Sequence, residues 1–312
     1  MSISSDKSGT AGSVAESSFR MERDYPIAKL TTFGIGGPAD MVAFCETVEQ
    51  VVEAVEFCKT NKIDYFVIGG GSNILASDAG FRGMIILPKI DYFKIEGESI
   101  NVGAAYSLAR MVEEAVEGGL AGLESLSGIA GTVGGAIVGN AGAYGQSISD
   151  TLIDVSIYNP DRGLYTALKD EIGFRYRHSE LKWTRNIVLS ARFKLKHEDV
   201  ELLRNRAAEI LEQRWSRHPH QDVSAGCFFK NIEDKSAPHG KIAAGYLLEQ
   251  IGGKSETVGN AGVYPSHANI LINKGGATAS EVRALSLKLK QKVKEVYGVE
   301  LSEEVILLGD FS

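Results

Sequence analysis

Two glycine-rich segments restrict what this chain can fold into. The first, VIGGGSNIL at residues 67–75, places three consecutive glycines behind an apolar run, and the second, GLESLSGIAGTVGGAIVGNAGAYGQ, covers residues 122–146. Each glycine inside a helix costs about 1 kcal/mol relative to alanine, so the second segment is too rich in glycine for a helix interior. We therefore predict loops whose backbone approaches another group closely.

The residues around the first glycine triplet suggest the type of group. This segment offers five consecutive residues for contact: Gly69, Gly70, Gly71, Ser72 and Asn73. Their backbone N–H groups, with a hydroxyl and an amide, suit the pyrophosphate of a dinucleotide. A Rossmann site requires a helix directly after the glycines, and SNILASD is a poor helix start. An isolated glycine triplet is more often a tight turn, but two such segments favour one extended cofactor lying against backbone from both sides.

Composition and charge exclude several other classes of protein. The chain has 312 residues, of which 44% are hydrophobic and 23% charged, so it resembles neither a disordered chain nor a protein with long apolar membrane spans. Its net charge of −7 and its dispersed basic residues argue against an extended nucleic-acid surface. We predict a protein that binds small molecules, with no nucleic acid, no membrane and no obligatory protein partner.

The cysteines and the N-terminal segment indicate the cellular compartment of the protein. Cys45, Cys58 and Cys227 are odd in number and lack CxxC spacing, which argues against a disulfide framework or a thiolate zinc site. The first residues are rich in Ser and Gly and lack the apolar core of a signal peptide. We predict a cytoplasmic protein without a metal ion, whose residues 1–22 form a mobile tail.

Hydrophobic periodicity divides the rest of the chain into two domains. ADMVAFCE alternates like a strand, the apolar residues at 48–58 recur at helical spacing, and DYFVIGGG contains a second strand, which together predict a βαβ unit. A strand at NIVLSARFKLKH precedes a helix with Leu203, Ala207, Ile210 and Leu211 on one face, so we place a boundary near residue 197. The predicted domains are 23–197, divided at about 23–90 and 91–197, and 198–312.

The last helix has clear start and stop signals. Thr278 and Glu281 form a capping box at its start, and Gly298 ends it. Its predicted buried face consists of Val282, Leu285, Leu289, Val293 and Val296. A final strand, EEVILLG, is predicted to complete the second domain.

A basic segment, FRYRHSELK, lies beyond the second glycine-rich segment. It gathers four basic residues around Tyr176: Arg175, Arg177, His178 and Lys182. Such a run is usually a solvated strand edge, whereas one arginine turned inward would clamp a substrate carboxylate through two parallel hydrogen bonds. The residues alone leave both interpretations open. The same holds for Glu303 and Glu304, because a glutamate at a strand edge is more often solvated than catalytic.

Six motifs occur in an order that resembles a known family. They are TTFGIGGPAD, VIGGGSNIL, SGIAGTVGGAIVGNAGAYG, FRYRHS, SAGCFFKN and EEV, spread over residues 30 to 308. In order and spacing they are similar to those of the bacterial UDP-N-acetylenolpyruvoylglucosamine reductases. The stretch AGYLLEQIGGKSETVGNAGVYPSHANILIN resembles the shorter form of that family, which lacks an inserted tyrosine-bearing loop.

The resemblance implies a fold, a cofactor and a reaction. The fold is α+β, with a two-subdomain FAD-binding region of the vanillyl-alcohol-oxidase type followed by an α+β substrate-binding domain. FAD is held non-covalently, takes a hydride from NADPH and passes it to the enolpyruvyl group of a UDP-sugar, in peptidoglycan precursor synthesis. The residues implied to bind FAD are Gly69, Gly70, Gly71, Ser72, Asn73, Gly128, Gly131, Thr132, Gly134, Gly135, Asn140, Gly142 and Tyr144. We expect Gly70, Gly71 and Gly134 to let the backbone approach the cofactor.

The resemblance also assigns catalytic roles. Hydride addition to an enolpyruvyl ether builds negative charge on its carboxylate and must be completed by a proton. Arg177 and Glu304 match the family residues that flank the carboxylate, and Cys227 occupies the position of the serine that donates the proton. A cysteine beside Phe228 and Phe229 is otherwise most often a small core residue.

Two further residues and two rival functions complete the predictions. Lys230 and Asn231 match positions that line the substrate pocket. The first rival function is a flavin oxidase of the same fold superfamily, which acts on an alcohol or aldehyde with oxygen. The second is a non-catalytic FAD-binding module, which the change from serine to cysteine would suggest if it marked decay.

Overall fold

A computed structural model describes residues 17–219, 223–237 and 240–312 of the chain. The α-helices of these residues are α1 Val48–Asn61, α2 Leu108–Glu117, α3 Val133–Gly139, α4 Val200–Trp215, α5 Ala244–Gln250 and α6 Ala279–Tyr297. Within the described ranges no helix combines the length and the apolar character needed to cross a membrane.

The first subdomain is the predicted βαβ unit with additional strands. Its strands are β1 Arg20–Pro26, β2 Pro38–Cys45, β3 Tyr65–Val67, β4 Ile74–Ala76 and β5 Phe81–Pro88. Four of them form a sheet in the order β1-β2-β5-β3, in which β2, β5 and β3 are parallel and β1 is antiparallel. Helix α1 begins after Thr47, whose side chain accepts a hydrogen bond from the Gln50 amide, and it ends at Lys62 in the left-handed conformation.

The predicted N-terminal tail, residues 1–22, is too long at its C-terminal end. Arg20 and Met21 belong to β1 and pair with Phe44 and Ala43 of β2. Two contacts hold this end of β1: Phe19 is buried, and the Arg20 guanidinium makes a cation–π contact 3.9 Å from the centre of the Phe44 ring. Residues 1–16 lie outside the described residues.

The second subdomain is built on an antiparallel sheet. Its strands are β6 Phe93–Glu96, β7 Ser99–Gly103, β8 Leu120–Ala121, β9 Gly142–Ala143, β10 Gln146–Ser147, β11 Leu152–Asn159, β12 Gly163–Leu168, β13 Ile187–Lys194 and β14 Lys196–His197. Five of these form the sheet, in the order β12-β11-β13-β7-β6. Helices α2 and α3 bury their apolar residues against it, with Met111 and Ile137 fully enclosed.

Part of the second glycine-rich segment is helical, contrary to the prediction. Helix α3 contains Gly134 and Gly135, and it begins after Thr132, whose hydroxyl accepts a hydrogen bond from the Gly135 amide. A Cβ on Gly134 would lie 2.9 Å from the Cβ of Ala104, at the end of β7. Glycine is therefore needed where the helix packs directly on the sheet, and this packing outweighs its poor helix propensity.

Helix α4 belongs with the second subdomain rather than with the following domain. Its Arg204 pairs with Glu117 of α2, its Arg206 lies 3.5 Å from the Glu124 carboxylate, and its Leu211 contacts Gly128. The boundary predicted near residue 197 is therefore wrong, and we propose that the third unit begins after Trp215. Periodicity indicates an apolar face on a helix, but it does not indicate which partner that face meets.

The third unit contains the remaining strands and α5 and α6. The strands are β15 Ile232–Glu233, β16 Lys241–Ile242, β17 Thr257–Val258, β18 Ala261–Tyr264, β19 His267–Asn273 and β20 Ile306–Leu308. The capping box and the end of α6 at Gly298 are confirmed. Four residues of its predicted face are buried, but Val296 is 64% exposed, because it lies one turn beyond the hydrophobic core.

The end of the chain returns to the first subdomain. Strand β20 runs parallel to β4, and the Ile306 amide donates to the Asn73 carbonyl at 3.0 Å. Asp78 receives hydrogen bonds from the amides of Ala279 and Ser280 at the start of α6, at 2.7 and 2.9 Å. These contacts place the residues just before β20 beside the first glycine-rich segment.

Candidate active site

The two glycine-rich segments touch each other. A Cβ on Gly70 would lie 2.8 Å from the Cα of Gly131, and a Cβ on Gly69 would lie 2.4 Å from the Thr132 hydroxyl. The Ser72 hydroxyl donates to the Ala130 carbonyl at 3.0 Å. The segments therefore meet between the two subdomains, as the sequence predicts for one extended ligand that lies against both.

Both segments carry backbone amides without a protein acceptor among the described residues. Within the described part of the chain, the amides of residues 69–73 and 130–132 donate no hydrogen bond to a protein acceptor. Gly69, Gly70 and Ala130 are exposed. Successive free N–H groups form an anion-binding concavity, and a dinucleotide pyrophosphate supplies the acceptors that they lack. The residues present therefore fit FAD at this position.

Packing gives several of these glycines a reason in addition to the predicted approach to the cofactor. Gly71 has φ +64°, and a Cβ there would lie 1.9 Å from the Leu30 carbonyl oxygen. The spaces beside Gly70 and Gly134 are likewise filled by protein atoms. Glycine is required at these positions so that the segments can pack on each other and on β7.

We expect Gly70→Val to lose FAD while keeping the C-terminal unit folded. The added side chain must displace the backbone of Gly131. This displacement moves the two glycine-rich segments, with their free amides, apart. Flavin content after gel filtration should fall several-fold, whereas Gly139→Ala, where a Cβ meets nothing within 4 Å, should retain it. Full FAD occupancy in the Gly70 variant would contradict the assignment of the FAD site.

The segment FRYRHS is anchored to the end of α3. Asn140, left-handed at φ +45°, donates from its side-chain amide to the Arg175 carbonyl at 2.9 Å, and Ser179 donates to the Val138 carbonyl at 2.7 Å. Arg175 is mostly exposed and faces Glu180, as a solvated basic residue would. Arg177 has φ +51° and an inward-turned side chain. Of the arginines in this segment, Arg177 is therefore turned inward and Arg175 is solvated.

Arg177 and Glu304 form a largely buried ion pair. The Arg177 Nε lies 2.8 Å from Oε1 of Glu304, and the two side chains are 25% and 21% exposed. Burial raises the pKa of Glu304, and the charges of Arg177, Lys182 and Lys230 oppose that rise. Burial and the nearby Lys230 lower the pKa of Lys182. Several cationic groups therefore surround one carboxylate, an arrangement suited to a second anionic group from a ligand.

Cys227 lies on a short extended segment between β19 and the residues before β20. The Phe228 amide donates to the Asn269 carbonyl at 2.7 Å, and the Glu304 amide donates to the Phe228 carbonyl at 2.8 Å. Asn269 is buried, and its side chain bonds both the amide and the carbonyl of Phe229 at 2.9 and 2.8 Å. Phe228 and Phe229 enter the core, whereas Cys227, for which a role as a small core residue is the alternative, is partly exposed.

The environment of Cys227 keeps its thiol protonated. Desolvation raises the pKa of Cys227 to about 11, with Glu304 acting in the same direction, and Arg177 and Arg214 oppose the rise. A thiol with this pKa carries its proton throughout the neutral range. The charges of Arg177 and Glu304 are close enough to Cys227 to change its pKa. The three residues predicted to be catalytic are thus brought together.

The other predicted residues lie around this group. The Asn73 side chain donates to the Glu304 carbonyl at 3.2 Å, which joins the first glycine-rich segment to the catalytic residues. The Lys230 amide donates to the Ser302 carbonyl at 2.9 Å. The Asn231 side chain accepts a hydrogen bond from the Ala244 amide at the start of α5, so its oxygen already has a structural partner. Tyr144 is half exposed with φ +50°.

Sequence reasoning missed four residues of this site. They are Arg214, His218, His267 and Asn269. Arg214 comes from the end of α4, and burial lowers its pKa. Asn269 and His267 belong to β19, within a stretch noted only for its family resemblance. The type of residue gave no signal, because a single asparagine or histidine in a strand is usually structural.

We expect Asn269→Ala to destabilise the protein by about 2 kcal/mol or more, since it leaves the buried amide and carbonyl of Phe229 without partners. Urea unfolding monitored by circular dichroism measures this loss. Asn61→Ala, at the exposed end of α1, is the matched control and should change stability by less than about 0.5 kcal/mol. Equal stability of the two variants would contradict the role given to Asn269.

Comparisons with known proteins agree with this architecture. Residues 39–166 match the model of a family described as FAD binding domain, and residues 218–308 match that of the UDP-N-acetylenolpyruvoylglucosamine reductase C-terminal domain. The UDP-N-acetylenolpyruvoylglucosamine reductase of Clostridium botulinum strain Hall is 36% identical over 288 residues, 92% of each chain. That of Caldicellulosiruptor saccharolyticus is 37% identical over 293 residues, 93% of this chain and 92% of the relative.

A solved structure extends the comparison to the fold. The crystal structure of UDP-N-acetylenolpyruvylglucosamine reductase from Thermus caldophilus matches with a TM-score of 0.79 and 35% identity, over 93% of this chain and 99% of that chain. The predicted α+β fold with an FAD-binding region is confirmed. Given the identity and coverage shared with these relatives, the chain belongs to the UDP-N-acetylenolpyruvoylglucosamine reductase family.

Proposed function

We propose that this protein reduces UDP-N-acetylenolpyruvoylglucosamine to UDP-N-acetylmuramate with NADPH, through non-covalently bound FAD, as a step of peptidoglycan precursor synthesis. Family membership supports the substrate and the cofactors. The observation that carries the proposal is the convergence of Arg177, Glu304 and Cys227 beside the first glycine-rich segment.

Bound FAD supplies the hydride transfer, from NADPH to the terminal carbon of the enolpyruvyl double bond. Hydride addition moves an electron pair of that double bond toward the substrate carboxylate. We assign the terminal nitrogens of Arg177 to this carboxylate, because the Nε side of the guanidinium faces Glu304. Glu304 fixes the guanidinium in place, and Lys182 and Lys230 add positive charge on the same side.

Cys227 completes the reaction by donating a proton to the carbon adjacent to the carboxylate. The Sγ–H bond breaks, the new C–H bond forms, and the thiolate left behind is reprotonated from solvent before the next turnover. Arg177 and Arg214 stabilise this transient thiolate, as their lowering effect on the pKa of Cys227 indicates. The raised pKa ensures that the thiol begins each cycle with its proton.

The two rival functions do not explain the geometry. A flavin oxidase that uses oxygen has no need for a buried arginine paired with a glutamate beside a protonated thiol. A non-catalytic module has no need for the buried pair of Arg177 and Glu304. We also propose a cytoplasmic location, because Cys45 and Cys58 are buried free thiols, as in proteins of reducing compartments.

The proposal is tested by turnover. The FAD-loaded protein should oxidise NADPH only when the enolpyruvyl UDP-sugar is present, under nitrogen, and the product should exceed the substrate by the mass of two hydrogen atoms. Flavin that is reduced by an alcohol or aldehyde, reoxidised by oxygen and indifferent to the sugar would favour the flavin oxidase. Absence of any NADPH oxidation by FAD-loaded protein would favour the binding module.

A further inference from the structure

Three potential metal ligands lie together at the edge of the proposed active site. His218 follows α4, Cys227 is the proposed proton donor and His267 begins β19. One ligand atom from each lies within 4.8 Å of the other two, and all three residues are partly exposed. The two imidazole rings have centroids 5.4 Å apart. Cysteine spacing alone argues against a zinc site, but spacing does not detect ligands that only the fold brings together.

We propose that His218, Cys227 and His267 form a binding site for a thiophilic divalent cation of the zinc class, and that occupation of this site stops the step in which Cys227 donates its proton. Zinc accepts one sulfur and two nitrogen ligands and keeps a fourth position for water. The binding half of the proposal does not depend on the function of the protein. The inhibitory half rests on the proposed function.

The geometry requires only a small contraction. Tetrahedral zinc holds sulfur at about 2.3 Å and imidazole nitrogen at about 2.0–2.1 Å, which places ligand atoms roughly 3.5 Å apart. The three ligand atoms, which now lie within 4.8 Å of one another, therefore have to approach each other by about 1 Å. Rotation of partly exposed side chains supplies such a movement without a change in the backbone.

His218 has the outer contact that a metal-binding histidine needs. Its Nδ1 lies 3.1 Å from the Arg214 carbonyl oxygen and donates to it, which leaves the Nε2 lone pair for an ion. Burial also keeps this ring neutral, since it lowers the pKa of His218 to about 4. At His267 the Nδ1 accepts from the Asn269 amide at 3.2 Å, so an ion displaces this hydrogen bond, either by binding at Nδ1 or by binding at Nε2 after the ring proton moves to Nδ1.

The surrounding charges limit the affinity. Each ligand residue has two cationic neighbours that contribute positive charge at its position: Arg177 and Arg214 at Cys227, Arg214 and Arg217 at His218, and Arg217 and Lys254 at His267. Two carboxylates partly offset this charge, Glu304 at Cys227 and Glu249 at His267. Cations outnumber anions, so the site should bind more weakly than a structural zinc site. The ion compensates in part by converting Cys227 to its thiolate.

This conversion explains the effect on catalysis. A thiolate bound to zinc has lost the proton that the proposed reaction requires, and the ion occupies the space beside it. The hydride transfer from NADPH to FAD does not use Cys227. Zinc should therefore leave flavin reduction unchanged and abolish flavin reoxidation by the enolpyruvyl sugar.

The test measures binding and turnover separately on the FAD-loaded full chain. Zinc chloride titrated into the protein in a calorimeter should bind at one site, at least about tenfold more weakly in His218→Gln and in Cys227→Ser. His197→Gln, the same change at an exposed histidine of β14, is the control and should bind like the wild type. Equal binding by all four proteins, or no binding by any, would overturn the proposal.

Turnover then tests the inhibitory half. With bound zinc the wild type should lose flavin reoxidation and regain it when EDTA is added. At the same zinc concentration His218→Gln should lose a much smaller fraction of its rate, with each protein compared with its own metal-free rate. Zinc binding at the three residues without inhibition would overturn this half. Absence of sugar-dependent reoxidation in metal-free protein would instead refute the proposed function and leave the binding result intact.

Discussion

Cys227→Ala should reduce the rate of flavin reoxidation by the enolpyruvyl sugar by about 10²–10⁴-fold, the usual contribution of a positioned general acid. NADPH-dependent bleaching of the flavin should proceed at the wild-type rate, because that half-reaction needs no proton from Cys227. Stopped-flow absorbance under nitrogen follows both half-reactions in one protein. Cys58→Ala, which removes a buried thiol of α1, is the matched control and should change neither rate by a comparable factor.

Cys227→Ser sharpens this prediction. A hydroxyl has the size and the proton needed at this position, so the variant should retain substantial activity. Since burial raises the pKa of Cys227 to about 11, the wild-type thiol stays protonated below that value, and reoxidation should not slow as pH rises through the neutral range. Wild-type reoxidation rates in the Ala variant would show that Cys227 only packs.

The second large effect is expected for Arg177→Ala, with reoxidation slowed by about 10²-fold or more and flavin reduction by NADPH close to normal. The charge that develops on the substrate carboxylate then has no guanidinium, and Glu304 is left buried without its partner. Stopped-flow reoxidation against substrate concentration separates the loss of rate from the loss of binding.

Two comparisons control this experiment. Arg175→Ala removes an exposed arginine of the same segment and should retain both half-reactions. Arg177→Lys keeps the charge without the planar group and should recover only part of the rate. Equal losses in both half-reactions of Arg177→Ala would show that the residue supports the structure rather than the chemistry.

Local sequence patterns predicted the elements better than their partners. The capping box of α6 and the helical spacing of α1 were confirmed because they depend on residues three or four positions apart. The docking of α4 on α2 and the pairing of β20 with β4 were missed, since each joins residues far apart in the chain. Glycine density misled at α3, where close packing on β7 overrides helix propensity.

The candidate site shows the same division. Motifs placed Arg177, Cys227 and Glu304 on three separate segments, and their joint role came from resemblance rather than from residue chemistry. The structure then showed that Arg177 pairs with Glu304 and that Asn73 bonds the Glu304 carbonyl. His218 and His267 carried no signal, because only the fold brings them to Cys227.

A single experiment tests the central claim most directly. The FAD-loaded protein is bleached with one equivalent of NADPH under nitrogen, freed of NADP, and mixed with the enolpyruvyl UDP-sugar. The flavin absorbance should return at once with the sugar, only slowly with buffer, and should form one UDP-N-acetylmuramate for each flavin. Reduced flavin that reoxidises with oxygen alone and does not respond to the sugar would contradict the account.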